Sequence, residues 1–464
     1  MEKEYSWLNH LDGIEPRSGY GIDQGRFNIS LEAWRRGISV KFIRKGNTNI
    51  YYILDYNGRK HEFYTTFGDL TSKEAAKIAK NKQLTKQYLI KAGVPVAKGN
   101  EFKKKESNED ILDYVTSNLS FPLVIKPSSG MKGKGVVANI RTKQELLESL
   151  LYVRNKLGYG NIIVEKHVEG EELRVFFIGD QIEGAYKKIP ANVVGDGSSS
   201  INDLINEKNK LRKNNPHLYS RLIKVDKELK NYINKLGYGL DSIPMENEVV
   251  QLRSQSNLNT GGDLVDITDN LPNNIVEIIK KTANAIPGLP HAGVDLIMGE
   301  NETIVLEINH NQAVSGHLYP MKGKARDVPK AIIDYYYPET KEITKSLVYF
   351  NFKPIRKLLR DKTTKEILLT KPPIGEQFGL SVKVNLKNLG LAKKIKKIVT
   401  KTDFSGYLKN TTDNNSELYI VGNNKNKLEK IVKEIRMLGI EMRETREQLK
   451  PVEIGFKFID DAEN

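Results

Sequence analysis

A pair of strand-like segments joined by a glycine turn strongly limits how residues 295–309 can fold. The run reads DLIMGENETIVLEIN, in which aliphatic and β-branched residues stand on both sides of Gly299. This pattern predicts an antiparallel hairpin in which Asp295 on the first strand faces Glu307 and Asn309 on the second. Residues two apart on a strand share a face, so Glu307 and Asn309 should point the same way.

The hairpin predicts a cation site. Two carboxylates and an amide oxygen form a hard oxygen donor set of the kind that Mg²⁺ takes, with water and phosphate oxygens completing the octahedron. Mn²⁺ accepts the same donors. An ordinary polar strand end would show the same residues, so that alternative stays open at this point.

The residue types exclude several other chemistries. The chain contains no cysteine, which rules out disulfides, thiolate zinc sites and a cysteine nucleophile. The 7 histidines form neither His-Glu-x-x-His nor His-x-x-Glu-His, which disfavours a zinc hydrolase. No uncharged apolar run approaches about 18 residues, and the N-terminal residues MEKEY do not begin a secretory signal. We therefore expect a cytoplasmic protein.

The positive charge of the chain is concentrated near its C-terminus. Of a net charge of +15, residues 341–464 contribute +10, from 26 Lys+Arg against 16 Asp+Glu. Acids are interspersed with the lysines, as in residues 428–436, so a solvated helix face is favoured over a phosphate-backbone groove. We expect no nucleic-acid or membrane partner, whereas small anions such as nucleotides are compatible with either interpretation.

The order of patterns along the 464 residues predicts an α+β protein with several domains. Residues 1–71 have short strand-like pieces and predict a small β-rich segment. A helix is expected over 73–92. From Phe121 strands and helices alternate up to the hairpin, residues 339–375 resemble a basic linker, and residues 376–464 have a βαββα order typical of a ferredoxin-like sandwich. The predicted elements of this last part are strand 380–384, helix 391–399, strands 404–409 and 417–421, and helix 425–438.

A glycine- and serine-rich loop joins two predicted strands at residues 123–140. Glycine lets backbone N–H groups approach phosphate oxygens, and a lysine adds a point charge. The loop returns into a strand, so a hairpin flap over a triphosphate fits better than the loop that opens a helix in dinucleotide sites. A solvated turn is the alternative. The candidate phosphate ligands are Lys126, Ser128, Gly130, Gly133 and Gly135.

A short acidic hinge follows the apolar strand Ile162–Val164. It contains Glu165, which could face an adenine edge, and Glu172, which could accept hydrogen bonds from ribose hydroxyls. Without further context the same residues are a charged strand connection.

Together these motifs resemble the ATP-grasp carboxylate-amine ligases. Lys82, Lys126 with its flap, the hinge and the Asp295/Glu307/Asn309 hairpin occur in the order and spacing of that family. The segments IPANVVGDG at 189–197 and LRSQSNLNTGG at 252–262 are similar to the ATP-grasp modules of cyanophycin synthetases and bifunctional glutathione synthetases. The resemblance covers residues 72–338.

The resemblance implies an ATP-grasp fold, in which two α+β subdomains grip ATP, and a ligase that produces ADP. A substrate carboxylate would attack the γ-phosphate, and an amine would then displace phosphate. In this assignment Lys82 and Lys126 hold the phosphates, Glu165 binds adenine together with backbone groups of Lys166 and Val168, and Glu172 binds ribose. Mg²⁺ or Mn²⁺ would sit on Asp295, Glu307 and Asn309, and Arg253 would be catalytic by stabilising the acyl phosphate.

Two departures leave the substrates open. Only residues 1–71 precede the module here, and the loop HNQAVSG at 310–316 differs from the proline-containing loop usual in relatives. We expect small-molecule carboxylate and amine substrates, with amino acids or peptides favoured, and the possibility of a homo-oligomer stays open.

The C-terminal part resembles acylphosphatases. Residues 404–410, FSGYLKN, are similar to the family's strand, which would make Asn410 the catalytic, water-positioning amide. The family's phosphate-loop arginine has no counterpart in residues 384–391, where only Lys387 or the nearby Lys393 could replace it, and a lysine lacks the rigid fork. We therefore expect a degenerate domain, with acyl phosphate hydrolysis and an inactive ATP-binding scaffold as the alternatives to ligase function.

Overall fold

The fold was analysed in a computed structural model that describes residues 23–128, 134–385, 389–410, 415–444 and 449–459. The chain divides into two compact units. The first unit comprises the described parts of Met1–Gly68, Ala313–Ser315 and Asp327–Asn464, and the second comprises those of Asp69–Gln312 and Gly316–Arg326. In the part of the chain that the structure describes, no helix is both long and apolar enough to cross a membrane.

The N-terminal elements of the first unit are one helix and four strands: α1 (Asp23–Arg35), β1 (Ser39–Lys45), β2 (Asn49–Tyr56), β3 (Arg59–Tyr64) and β4 (Phe67–Gly68). The sequence predicts strands here but not α1. All of the residues of α1 are buried, including Asp23, Arg26 and Glu32. A helix that is buried all round has no single apolar stripe, so the usual periodicity of a surface helix does not reveal it.

The second unit begins with two helices where one was predicted. Asn81 ends the first helix and caps the second, because its side chain accepts a hydrogen bond from the amide of Leu84. The elements up to residue 200 are α2 (Lys73–Lys80), α3 (Lys82–Lys91), β5 (Gly99–Phe102), α4 (Asn108–Asn118), β6 (Leu123–Pro127), β7 (Val137–Ile140), α5 (Lys143–Leu150) with a π-helical continuation (Leu151–Lys156), β8 (Ile162–Lys166), β9 (Glu171–Ile178), β10 (Gln181–Ile189) and β11 (Asn192–Val194).

The remaining helices and strands of the second unit are α6 (Ile201–Asn214), α7 (Lys227–Lys235), β12 (Val249–Gln251), β13 (Asp263–Asp266), α8 (Asn273–Ala285), β14 (His291–Met298), β15 (Thr303–Asn309) and α9, which runs Ser315–Leu318 across the unit boundary. Single turns of 3₁₀-helix occur at Leu258–Thr260 and Thr268–Asn270. Two larger antiparallel sheets organise the unit, with strand orders β5-β8-β6-β7 and β13-β10-β9-β14-β15, and β11 pairs with β12 in a third.

The five-stranded sheet has one apolar and one polar face. On β9, Leu173, Val175 and Phe177 belong to a buried cluster with residues of α2, α3 and α8. The residues between them, such as Glu172 and Arg174, point to the opposite face, because side chains alternate along a strand. This opposite face carries the candidate site.

The C-terminal elements return to the first unit. They are α10 (Val328–Tyr336), β16 (Val348–Tyr349), α11 (Phe352–Arg360), β17 (Glu366–Leu368), β18 (Phe378–Asn385), α12 (Leu389–Val399), β19 (Ser405–Asn410), β20 (Asn415–Gly422), α13 (Lys425–Arg436), β21 (Met442–Glu444), β22 (Val452–Glu453) and β23 (Phe456–Ile459), with a 3₁₀ turn at Pro338–Thr340. The three sheets have the orders β17-β1-β2-β3-β4, β16-β22 and β21-β18-β20-β19-β23.

Residues 339–375, for which the sequence predicts a linker, are structured. β17 pairs antiparallel with β1, so the N-terminal segment and this stretch share one sheet. The helix α11 buries Phe352, Ile355 and Leu359. Short edge strands among prolines and lysines have too little apolar periodicity to be recognised in a sequence. The predicted βαββα order after residue 376 is confirmed as β18-α12-β19-β20-α13, and β21 to β23 follow it.

Candidate functional site

The hairpin β14–β15 brings the three predicted oxygen donors together. Asp295 lies directly opposite Glu307 in the strand register, as predicted, and Gly293 lies opposite Asn309. The Asn309 Nδ2 group donates to Asp295 at 3.1 Å and to Glu307 at 3.0 Å. A β-bulge at Leu306 shifts the register between these pairs and the pair Leu296–Val305.

Asp295 is held by two cations, Arg174 and Lys188, that were not among the predicted site residues. Arg174 lies opposite it on β9, and its guanidinium grips the carboxylate with both Nε, at 2.6 Å, and Nη2. Lys188 on β10 places Nζ 3.3 Å from Oδ1. Burial alone would raise the pKa of Asp295, but the charges of Arg174 and Lys188 outweigh it and hold the pKa at about 2. Asp295 is therefore ionised throughout the physiological range.

Glu307 is much more accessible than Asp295. Its side chain is 36% exposed, against 6% for Asp295. Lys82, the first residue of α3, places Nζ 3.4 Å from its Oε2. Glu307 therefore forms the open side of the cluster and Asp295 the closed side.

The donor set fits a divalent cation that needs few protein ligands. Nowhere in the described ranges do three or more His, Asp or Glu side chains gather as a metal cage. Two carboxylates and one amide oxygen suit Mg²⁺ or Mn²⁺ only if phosphate or water oxygens complete the shell. Asn309 now directs its N–H groups at both carboxylates. Its amide would have to turn over to present oxygen to a cation.

A second buried carboxylate, Glu165 on β8, joins two lysines. Its Oε1 lies 2.8 Å from Nζ of Lys86, and its Oε2 contacts Nζ of Lys126. Burial raises the pKa of Glu165, but the charges of Lys126 and Lys86 outweigh this and lower it. In this structure the carboxylate pairs with two lysines, and the role in adenine binding that the hinge sequence indicated stays a prediction.

The helix α3 connects the two carboxylate clusters. Lys82 and Lys86 are one turn apart and share a helix face. The first reaches Glu307 and the second reaches Glu165. Lys86 follows Lys82 by four residues, which places the two side chains on one helix face. This spacing does not single out Lys86 as a site residue in the sequence, because any lysine-rich helix contains such pairs.

The other three candidate residues of the hinge, Lys166, Val168 and Glu172, differ in how accessible they are to a nucleotide. The amide of Lys166 donates to the carbonyl of Lys98 at 2.8 Å, so its N–H is used within the protein and not by adenine. Val168 is buried with Ala97 and Ile304. The side chain of Glu172 is 42% exposed and lies 3.4 Å from Lys188, so it remains accessible to a hydroxyl donor.

The phosphate loop is described only at its two ends. Gly130 and Gly133 lie outside the described residues. Ser128 donates its amide to Asn161 at 3.1 Å, and its buried hydroxyl has no hydrogen-bond partner within the described part of the chain. Gly135 has φ +78°, and a Cβ there would come within 2.9 Å of Pro127 and Tyr159, so this position requires glycine.

Arg253, the arginine predicted to be catalytic, pairs with two acids outside the hairpin cluster. It is 2% exposed, and its guanidinium binds Asp226 at 2.7 Å and Glu228 at 2.8 Å. Both acids stand at the start of α7, whose N-cap is Asp226. Arg174 is the guanidinium that contacts the hairpin, and the catalytic role of Arg253 stays a prediction.

Asn410 belongs to the first unit, at the exposed end of β19. Its Oδ1 accepts a hydrogen bond from the hydroxyl of Ser416 at 3.1 Å. Lys387 lies outside the described residues, and Lys393 is exposed on α12.

A model of the ATP-grasp domain matches residues 79–311, half of the chain. The cyanophycin synthetase of a Synechocystis species is 28% identical over 295 residues, which are 61% of this chain and 33% of that protein. The glutathione biosynthesis bifunctional protein GshAB of Enterococcus faecalis is 30% identical over 325 residues, or 67% of this chain and 42% of that protein. The chain spans about a third of the length of the cyanophycin synthetases it matches.

Among solved structures, a bifunctional glutathione synthetase from Pasteurella multocida aligns with a TM-score of 0.50 at 26% identity, covering 62% of this chain and 41% of that one. The matched residues 79–311 include both carboxylate clusters, Lys82 and the glycine-rich loop after Lys126. With its α+β fold and its match to half of the sequence, this chain belongs to the ATP-grasp family.

Proposed function

We propose that the protein is an ATP-dependent, Mg²⁺-dependent ligase that joins a carboxylate to an amine through an acyl phosphate and releases ADP. The observation that carries this proposal is the polar row across three adjacent strands, in which Glu307, Asp295 and Arg174 lie side by side. Two carboxylates for a cation beside a fixed guanidinium for an anion suit phosphoryl transfer.

Lys82 and Lys126 would bind the nucleotide phosphates. Each is paired with a glutamate, Lys82 with Glu307 and Lys126 with Glu165. Lys86 also neutralises Glu165, so Lys126 can turn toward a phosphate without leaving that buried carboxylate unpaired. Ser128, Gly130, Gly133 and Gly135 would close the phosphate loop over the nucleotide, Val168 would line the base pocket, and Glu172 would accept from the ribose.

Asp295, Glu307 and Asn309 would hold the divalent cation. When bound there, Mg²⁺ or Mn²⁺ would neutralise charge on the transferred phosphoryl group. Arg174 and Lys188 keep Asp295 ionised and fixed in direction. Lys82 would leave Glu307 for the phosphates, which frees that carboxylate for the cation.

The proposed reaction has two steps. In the first, a carboxylate oxygen attacks the γ-phosphorus and the bond to the bridging oxygen of ADP breaks. In the second, an amine nitrogen attacks the acyl carbon, inorganic phosphate leaves with the electron pair of the broken C–O bond, and the amine loses a proton. Arg174 grips Asp295 through Nε and Nη2, so its Nη1 group would stabilise the anionic oxygens in both steps, the role predicted from the sequence for Arg253.

The favoured substrates are amino acids or peptides. This rests on the names of the relatives, one of which makes glutathione and another cyanophycin. Because the chain spans only part of each relative, neither product is assigned to it.

We expect ADP release that depends on both ATP and a carboxylate, and hydroxylamine should trap the acyl phosphate as a hydroxamate. The experiment screens amino acids and short peptides with the full chain and identifies the nucleotide product. AMP in place of ADP would contradict phosphoryl transfer. Binding of ATP without ADP release from any member of the panel would favour an inactive scaffold.

A second activity, acyl phosphate hydrolysis, is proposed for residues 376–464 as an acylphosphatase-like domain. The support is the antiparallel order β21-β18-β20-β19 with two helices between its strands, which is compatible with a ferredoxin-like sandwich, and the exposed amide of Asn410.

If this domain is active, the protein should release phosphate from acetyl phosphate without ATP, and Asn410→Ala should lower that rate by roughly 100-fold, since one positioned group contributes about that factor. Asn423→Ala is the control, because Asn423 lies beyond the opposite end of the neighbouring strand β20. Equal rates for wild type and Asn410→Ala would show that this domain does not use the predicted amide.

A further inference from the structure

The polar row of the five-stranded sheet continues beyond Arg174. Tyr186 on β10 lies directly opposite Arg174, and Asp266 on β13 lies opposite Tyr186, so the row runs from Glu307 through Asp295, Arg174 and Tyr186 to Asp266. Directly paired residues of neighbouring strands project from the same face. Tyr186 therefore lies on the same face as the carboxylates of the candidate cation site. Beyond it, the carboxylate of Asp266 is already paired with Arg326 at 2.7 Å.

His317 packs over this end of the row. Its ring lies 4.6 Å from that of Tyr186 and 5.9 Å from that of Phe176. The site is shaped for it, since a Cβ on Gly184 would come 2.8 Å from its Nδ1. His317 is 2% exposed, and within the described ranges neither of its ring nitrogens has a hydrogen-bond partner. A buried polar group left without a partner is costly, and such groups frequently mark a ligand site.

Arg221 is a further charged group close to Tyr186. Its Nη1 donates to the carbonyl of His217 at 2.6 Å and lies 3.0 Å from the ring Nε2 of the same residue. Burial lowers the pKa of Arg221, while nearby Tyr186 opposes this effect. A guanidinium nevertheless keeps its charge in proteins.

Arg221 differs from four other partly or fully buried arginines of this unit, while partly buried Arg154 also lacks a carboxylate partner but donates to Asn108 and to backbone carbonyls. Arg174, Arg212, Arg253 and Arg326 each bind at least one carboxylate. For Arg221 no Asp or Glu of the described chain lies within ion-pair distance. Its one side-chain partner, His217, is kept neutral, because burial and the charges of Arg221, Arg174 and Arg212 lower the pKa of His217 well below its ordinary value.

We propose that Arg221, together with Tyr186 and the ring of His317 that packs on Tyr186, binds a second carboxylate of the substrate, so that the acid which is phosphorylated is an acidic amino acid or an acidic peptide. This inference rests on the proposed ligase function. One carboxylate would lie at the Asp295 end of the row and react, while the other would neutralise Arg221 and supply a hydrogen-bond partner to His317. The uncompensated charge is thus a specificity-determining feature.

The test compares substrates that differ only in this second group: aspartate with asparagine, glutamate with glutamine, and dipeptides that end in each of these residues. We expect ADP release to favour the acidic member of at least one pair. Arg221→Gln should raise KM for that member about tenfold or more, because a charge-assisted contact is lost, and should leave KM for ATP and for the amide member unchanged. The KM of Arg221→Lys for the acidic member should lie between those of the wild type and Arg221→Gln, since lysine keeps the charge but lacks the two-pronged guanidinium.

Arg141→Gln is the matched control, because Arg141 is an exposed arginine of the same unit paired with Glu169. Calorimetric titration of the full chain with glutarate and with its monoamide makes the test independent of turnover. If no substrate releases ADP but glutarate binds more tightly than the monoamide, and only Arg221→Gln abolishes this difference, the ligase proposal fails and the carboxylate site stands. If ADP is released without any preference for acidic substrates, or if Arg221→Gln raises KM for ATP instead, the inference is overturned.

Discussion

Glu307→Gln should lower the rate of ADP release on the order of 1000-fold, which corresponds to about 4 kcal/mol of lost transition-state stabilisation. A neutral amide is a weak ligand for Mg²⁺. The substitution also removes the negative charge with which Lys82 pairs. The free energy of unfolding should change by less than about 0.5 kcal/mol, because the side chain is 36% exposed and is not needed to neutralise a buried group.

The control for this variant is Glu302→Gln on the same hairpin. Glu302 makes an exposed ion pair with Lys166 and lies outside the polar row. Its substitution should leave both turnover and stability unchanged. If the Glu307→Gln variant keeps wild-type turnover, or if its activity depends on Mg²⁺ concentration as the wild type does, Glu307 is not a ligand of the cation.

Asp295→Asn should lose both activity and stability. Unlike the accessible Glu307, Asp295 is buried and is held by Arg174 and Lys188. Removing its charge leaves these two cations without their main partner, at a cost of about 2–4 kcal/mol. Chemical denaturation of the full chain, followed by a probe in the second unit, measures this difference.

The pH dependence of the free energy of unfolding tests whether the charge of Asp295 is the source of this stabilisation. Because the pKa of Asp295 is about 2 in the folded protein and 3.8 ordinarily, its stabilisation is fully present above pH 3.8 and is lost as the pH falls toward 2. The stability difference between wild type and Asp295→Asn should therefore shrink below about pH 4. In the double variant Asp295→Asn/Arg174→Met, part of the stability should return, because the unpaired guanidinium is removed with the carboxylate. If the losses of stability of the two single variants simply add in the double variant, Asp295 and Arg174 do not stabilise each other.

The parts of the site that were predicted from sequence are those carried by local patterns. The hairpin needed only a glycine turn between two β-rich runs, and its register indeed pairs Asp295 with Glu307. The C-terminal order of strands and helices followed from short segments with clear turns between them. In these cases neighbours along the chain determine the structure.

The parts that were missed depend on which charged residues meet across long distances in the chain. Glu165 meets Lys86 and Lys126, and Arg253 meets Asp226 and Glu228. A sequence pattern shows that a residue is charged but not which opposite charge neutralises it. Arg174 offered a signal, an arginine inside the apolar strand Leu173–Ile178, that could have been read as a buried ion pair.

The bulge at Leu306 divides β15 into two halves that are out of phase. Before it, Val305 lies opposite Leu296 and packs in the hydrophobic core; after it, Glu307 lies opposite Asp295 on the polar face. In an unbroken pleat, residues 305 and 307 would project to the same side. After the bulge the two cation ligands alternate with the buried core residue Ile308, so the ligands can change while the core contacts of the strand are kept.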